Sequence, residues 1–523
     1  SAQFKVLGSA PLVEKYGSSD DIFSKACSLD DGGAALATVV ENQLTFALYG
    51  SDYKMKAKKT ITVSTAKGNK EELRVYAILE SAQSVSLLYE VRPSIKTITV
   101  FKLCRLTFNK TDGVIAEDKV VSESSFEKSM LRTEFYFKIN SSKRDYYDDG
   151  IRIGGNSIIH KEKDSNNYAI LAYDKTSVTI ALVDSNHQEL AKATIPQISG
   201  QKVTNILDFS VVGKEEVLLV AEAGSVLYVG ELKVGQQEIS FTKLNYESEG
   251  KPIDAILRYS SAINSFYLLV LENMSKQSGY VVYSSKLARI NRDSLSVKRK
   301  ILDVAPLSAI METTGSTGAS VNTAAYAGRK KKGYSGTPDN LFVKDDGSVS
   351  VIFEDVSSER FAQGGTYTYY YYEDLGIIDF NKGGKVAGAA YIPKTIKVTD
   401  GLNKKIEEAG TSSYWNKGFK SYFYVNAEPQ GFVLFNDSPQ NRAKADSYQS
   451  IPKKNDPMDM NGDEAYIFKT GKNNIPTSQA IFGSEERVGF FGGADYNKKT
   501  KTLVMVTRLG EKGSAQLTWL KIE

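Results

Sequence analysis

Apolar and polar positions alternate along most of this chain in short runs, each closed by Gly, Asn, Asp or Ser. Residues 36–40, 44–48, 73–79, 84–89, 97–103, 168–173, 178–183, 217–220, 226–229, 266–271 and 503–506 all fit a strand. Each shows either the two-residue period of a half-buried strand or the unbroken apolar run of a fully buried one. No comparable stretch carries the 3.6-residue period of an amphipathic helix. The pattern predicts an all-β protein. The runs gather into groups at 33–65, 71–122, 131–197, 203–246, 252–304, 340–396, 418–482 and 486–523, a spacing that suits the blades of a β-propeller with long loops. A propeller also accommodates 523 residues, because each blade packs only on its neighbours and no single core has to grow.

The last group holds three clear strands, at 489–496, 502–509 and 516–522. A closed ring needs a fourth, and the apolar stretch 4–7 is the natural donor from the other end of the chain. Because the first group is short and can be shared, the reading is a single propeller of seven blades, within a range of six to eight. Residues 1–32 then form an N-terminal segment that includes the ring-closing strand, with one helical turn near 18–29. Residues 33–523 form the propeller. The stretch 305–339 breaks the rhythm: it is rich in Gly, Ser, Thr and Ala and nearly empty of large apolar side chains, the composition of a long flexible excursion.

Composition narrows the classes. The chain is 41% hydrophobic and 24% charged, as a globular protein is, and its 12 prolines suit a protein made of paired strands. A net charge of +4 gives no concentrated basic face, so nucleic acid is not an expected partner. No apolar stretch reaches the length of a transmembrane helix. The start at Ser1-Ala2-Gln3 resembles the processed end left by a secretory signal peptide, which predicts export to the periplasm, the outer-membrane surface or the exterior. Cys27 and Cys104 are the two cysteines; they make no disulfide framework, and their pairing stays open.

Candidate chemistry is sparse. The two histidines, His160 and His187, sit on a strand face and in a hairpin turn, and neither neighbourhood supplies a serine–histidine–carboxylate arrangement. Two cysteines and two histidines, scattered, do not make a zinc site, and no base lies near either cysteine in sequence. No GxxxxGK[ST] or GxGxxG phosphate loop is present. The acidic run 456–464 fails as an EF-hand, since Pro457 and Phe468 would occupy ligand positions. It reads as an acidic turn, as does the cluster of Asp145, Asp148 and Asp149. No catalytic, cofactor or metal residue is assigned. The candidate binding surface is the aromatic run Tyr367, Tyr369, Tyr370, Tyr371 and Tyr372, joined by the basic run Arg329, Lys330, Lys331 and Lys332 within the excursion. Amphipathic rings cover flat partners at low entropic cost, and a basic loop attracts acidic ones.

The residues of 369–394 (YYYYEDLGIIDFNKGGKVAGAAYIPK), 431–441 (GFVLFNDSPQN) and the closing 517–523 (LTWLKIE) resemble the secreted β-propeller-like proteins of Bacteroidota. Most of those have no assigned activity, so the resemblance implies export, the propeller fold and a binding role, and transfers no functional residue. The expectation is a non-catalytic exported propeller that binds another protein as scaffold or accessory subunit of an envelope or extracellular assembly. The alternative is a carbohydrate binder, or a glycan-active enzyme using two carboxylates at one mouth of the ring.

Overall fold

The computed structural model describes residues 4–12, 22–66, 71–93, 98–127, 152–161, 166–273, 283–303, 337–361, 367–400, 422–446, 464–470, 478–509 and 514–522, leaving out 41, 154–155, 158, 174–176, 197, 199, 201–202, 296, 393, 395, 429 and 484. They form an eight-bladed β-propeller in which each blade is an antiparallel sheet of four or five strands. Blade 1 runs through Ile22–Ser28, Ala34–Val40, Gln43–Tyr49 and Met55–Thr62, and blade 2 through Glu71–Glu80, Ser84–Pro93, Ile98–Asn109 and Ile115–Glu127. Blade 3 comprises Ile159–Lys161, Tyr168–Tyr173, Val178–Val183 and Glu189–Thr194; blade 4 comprises Val203–Val212, Glu216–Ala223, Val226–Lys233 and Ser240–Lys243. Blade 5 follows with Lys251–Ser260, Ser265–Asn273, Tyr283–Asn291 and Val297–Asp303. Blade 6 has Thr337–Val343, Val349–Phe361, Tyr367–Phe380 and Val386–Ile392, with Ile396–Asp400 added. Blade 7 has Tyr422–Ala427, Gln430–Asp437, Glu464–Thr470 and Gln479–Ala480.

Blade 8 joins the two ends of the chain. Arg487–Gly489, Thr502–Leu509 and Ala515–Ile522 supply three strands, and Phe4–Pro11 supplies the fourth. The closing strand is thus the one the apolar pattern points to. The count of seven is corrected to eight, because the N-terminal region serves two blades rather than one. Besides the closing strand it provides Ile22–Ser28, which pairs with Ala34–Val40 as the innermost strand of blade 1. That stretch is a strand where a helical turn was expected. Ser24, Lys25 and Ser28 interrupt its apolar residues, so the stretch carries little of the usual strand signal.

Burial follows position within a blade. The second strand of blade 4, Glu216–Ala223, is buried throughout, because both faces pack on neighbouring blades. The outermost strand of blade 1, Met55–Thr62, alternates between half-buried and exposed positions. Apolar side chains of adjacent blades interlock in eight clusters, one at each seam. The cluster between blades 8 and 1 sets Trp519, fully buried, against Tyr49 and Tyr53.

Chain direction makes the two faces of the ring unequal. Connections from first to second strand and from third to fourth emerge on one face, and in blades 1 to 6 they are turns of six residues or fewer. Connections from second to third strand and from blade to blade emerge on the other. The stretches 128–158, 304–336, 401–421 and 438–463 all begin and end on this long-connection face.

Candidate functional site

Each seam carries a directional polar strut as well as its apolar cluster. Between blades 1 and 2, Asp30 N–H donates to both Glu80 oxygens at 3.1 Å. Between 2 and 3, Ser86 Oγ lies 2.6 Å from His187 Nε2, and Arg105 Nη1 donates to Tyr168 Oη at 3.2 Å. Between 3 and 4, Val211 N–H donates to His160 Nδ1 at 3.0 Å. Asp208 of blade 4 accepts from Leu257 N–H of blade 5 at 2.7 Å and pairs with Arg258 at 3.1 Å. Tyr267 Oη of blade 5 donates to Gly347 O of blade 6 at 2.7 Å, and Tyr424 Oη of blade 7 meets Ser350 Oγ at 3.2 Å. The Asn436 amide of blade 7 donates to Gly489 O at 2.8 Å and accepts from Gly489 N–H at 2.9 Å. Asp495 of blade 8 accepts from Ser28 N–H at 2.8 Å. A buried polar group is costly without a partner and directional with one, so these struts set the angle between blades that apolar packing alone leaves loose.

The residues that could suggest chemistry are absorbed in this framework. Both histidines are struts, and desolvation beside Arg105 holds the His187 imidazole down at about 4. Cys27 and Cys104 are free and buried, and burial pushes both thiols up, away from the reactive thiolate. Among the described residues no three His, Cys, Asp or Glu side chains converge to hold a metal, and no helix is long and apolar enough to cross a membrane.

The residues that carry the resemblance have structural work too. Asp374 accepts from Tyr391 Oη and from Lys394 N–H, and Lys394 Nζ donates to Glu354 at 2.8 Å; all four side chains are buried. Asp379 accepts from Lys344 Nζ at 3.1 Å and from Ser350 Oγ. Asn381 Oδ1 accepts from Gly383 N–H at 2.9 Å, and Gly384 turns the chain at φ +78°. Asp437 accepts from Asn441 Nδ2 at 2.9 Å and Arg442 Nε at 2.7 Å, fastening the short helix Pro439–Asp446 to blade 7.

Short-turn and long-connection faces differ in kind. At the short-turn face Lys498 of blade 8 pairs with Asp345 of blade 6 and with Glu428 of blade 7 at 3.3 Å. Lys499 reaches Asp30 of blade 1 at 2.9 Å, and Asn497 Nδ2 donates to Asp30 Oδ1 at 2.9 Å. Asn497 and Lys499 together hold the Asp30 carboxyl below its ordinary range. Four turns here share an unforeseen signature, Asn followed by Lys or Arg: Asn109-Lys110, Asn291-Arg292, Asn381-Lys382 and Asn497-Lys498. In each, the Asn Oδ1 accepts a backbone N–H two residues on. Comparing the turns with one another would have revealed this repeat, which the strand pattern does not contain.

On the long-connection face, blade 6 rises beyond its four-stranded body. Tyr367–Tyr372 pairs with Val356–Phe361 on one side, and Thr368–Tyr372 pairs with Ile396–Asp400 on the other. The tyrosine run is therefore the middle strand of a three-stranded ribbon. Arg329, Lys330, Lys331 and Lys332 lie outside the described residues. The connection that contains them runs from Asp303 to Thr337 and enters blade 6 on the same face as the ribbon. The acidic stretches at 145–149 and 456–463 also lie outside the described residues.

No protein-family model matches the sequence, and no curated protein matches it. Solved structures with a similar course of chain share little sequence. A polysaccharide lyase, Uly1, is 10% identical over 86% of this chain and 90% of its own, with a TM-score of 0.37. A Bacteroides caccae protein of unknown function is 9% identical over 68% and 94%, at 0.26. The WD40 domain of SCAP from fission yeast is 10% identical over 99% and 98%, at 0.27. The chain spans about half, 54%, of a prolyl endopeptidase that it matches with 9% identity over 79% of its own length, at 0.33.

Proposed function

We propose that this protein is a non-catalytic β-propeller that serves as a protein-binding scaffold or accessory subunit and engages its partner through the long-connection face. The observation that carries this reading is the blade 6 ribbon, whose middle strand is the tyrosine run, with a backbone paired on both sides. Tyrosine offers a large amphipathic contact at low entropic cost, and a rigid scaffold lowers the cost of ordering it. On the short-turn face Lys498 and Lys499 pair with acids of its own turns, and both histidines are committed to seams. The exported, envelope-associated or extracellular location that the resemblance implies belongs to the same proposal.

Purification of the intact protein from its source envelope in mild detergent, with mass spectrometry of co-eluting chains, tests it. A stoichiometric partner that is lost when residues 357–371 are replaced by a two-residue turn supports the reading. A solitary ring contradicts it, and retention on a polysaccharide gel would replace it with glycan binding.

A further inference from the structure

Glu216 and Glu231 lie on the second and third strands of blade 4, where Glu216 stands opposite Lys233 and Leu218 opposite Glu231. That register makes the two glutamates diagonal neighbours on one face of the sheet. Arg292 of blade 5 reaches across the seam to both: Nη2 pairs with Glu216 Oε2, and Nη1 lies 3.1 Å from Glu231 Oε1. Among the described residues, the half-exposed Lys233 lies 3.8 Å from Glu231, and Tyr259 of blade 5 feels the charges of Arg292, Glu216 and Asp293. The Glu216 side chain is 6% exposed. Its Oε1 is buried without a hydrogen-bond donor among the described residues. Glu216 is buried and Glu231 partly buried beside it, so their carboxylates repel each other, and one guanidinium does not neutralise both. A single proton between them supplies the missing donor and removes the repulsion.

We propose that Glu216 carries a proton towards Glu231 in mild acid and that its release as pH rises drives the two side chains apart beneath Arg292, making the seam between blades 4 and 5 a pH-responsive latch. Burial first, then the hydrogen bond with Glu231, raises the Glu216 carboxyl from 4.5 to about 7 against the opposing pull of Arg292. A carboxyl raised on folding stabilises the fold fully below its unfolded value. That contribution is lost as pH climbs from about 4.5 through about 7. The latch is therefore tight in mild acid and weak in mild alkali.

Amide hydrogen exchange of the full chain at pH 6 and pH 8.5, corrected for intrinsic rates, reads the latch at 213–219 and 290–295 with the other blades as reference. The wild type is expected to lose protection there by about tenfold or more, the change that one pKa unit corresponds to. Glu231→Gln gives Glu216 a permanent donor and removes the second charge, so protection should no longer depend on pH. Glu216→Gln is the reciprocal variant and should behave alike if the first fails to fold. Flat protection in the wild type, or an equal loss in the folded variants, would overturn the proposal.

Discussion

Phe4 stands opposite Ile522 in an antiparallel ladder, so the beginning and the end of the chain are neighbours in one sheet. The closing strand is held by more than its backbone. Phe4 packs edge-on against Phe432 of blade 7, and Gly8 lies under the Tyr53 ring of blade 1, which itself leans on Trp519. One strand thereby touches three blades.

A Cβ at Gly8 would fall 2.3 Å from the Tyr53 ring, so Gly8→Val should prise the strand from its seat. The expected cost is roughly 1–3 kcal/mol, the range for overpacking a fitted contact. Urea denaturation measures it. An unchanged midpoint would mean that the strand does not close the ring in solution.

His187 gives the second seam a pH dependence of opposite sign to that of the fourth. Its imidazole is lowered from 6.5 to about 4 by desolvation, then by Arg105, so the folded protein keeps it neutral where the unfolded chain protonates it. The stabilisation is full above pH 6.5 and is lost as pH falls towards 4. After screening of a partly exposed ring, the loss is roughly 1–2 kcal/mol. Asn tolerates the positive φ of 68° at this turn, so His187→Asn should flatten the slope between pH 6.5 and 4 while lowering stability at pH 7. An NMR titration placing His187 near 6.5 would refute this.

Lys394 and Glu354 form a buried ion pair where the ribbon leaves blade 6. Lys394→Met strands the Glu354 carboxylate and should cost about 3–5 kcal/mol, whereas Lys394→Met with Glu354→Leu should recover most of it. A double-mutant cycle read by thermal denaturation would show the coupling. Additive losses would show that the pair is not coupled.

Asn436→Ala should destabilise the seam between blades 7 and 8 by about 1–3 kcal/mol, because both the N–H and the C=O of Gly489 lose their partner. Lys498→Ala removes an exposed pair on the short-turn face and should cost less than about 1 kcal/mol. The contrast is measured in one denaturation series. Equal costs would argue against the struts as the source of blade angle.

Much of the ring was legible because strand burial is written in a two-residue period. The eight groups of runs correspond to the eight blades, and the closing strand at residue 4 is visible as an apolar stretch with no local partner. The blade count failed at Ile22–Ser28, where Ser24, Lys25 and Ser28 interrupt the apolar signal. The struts were illegible for another reason. Ser86 and His187, or Asn436 and Gly489, are 101 and 53 residues apart, and nothing local marks either as half of a pair. The tyrosine run was visible by composition alone, while its place on the middle strand of a ribbon depends on the distant partner Ile396–Asp400.

The central claim is that the ring presents a partner-binding face, and affinity for the co-purified partner in three forms of the intact protein tests it most directly. Wild type and Lys498→Ala should bind alike, and the form with residues 357–371 replaced by a short turn should keep its β-sheet circular dichroism and lose binding by at least about a hundredfold. Equal binding by the trimmed form, or a loss confined to Lys498→Ala, would contradict the account and move the interface to the opposite face.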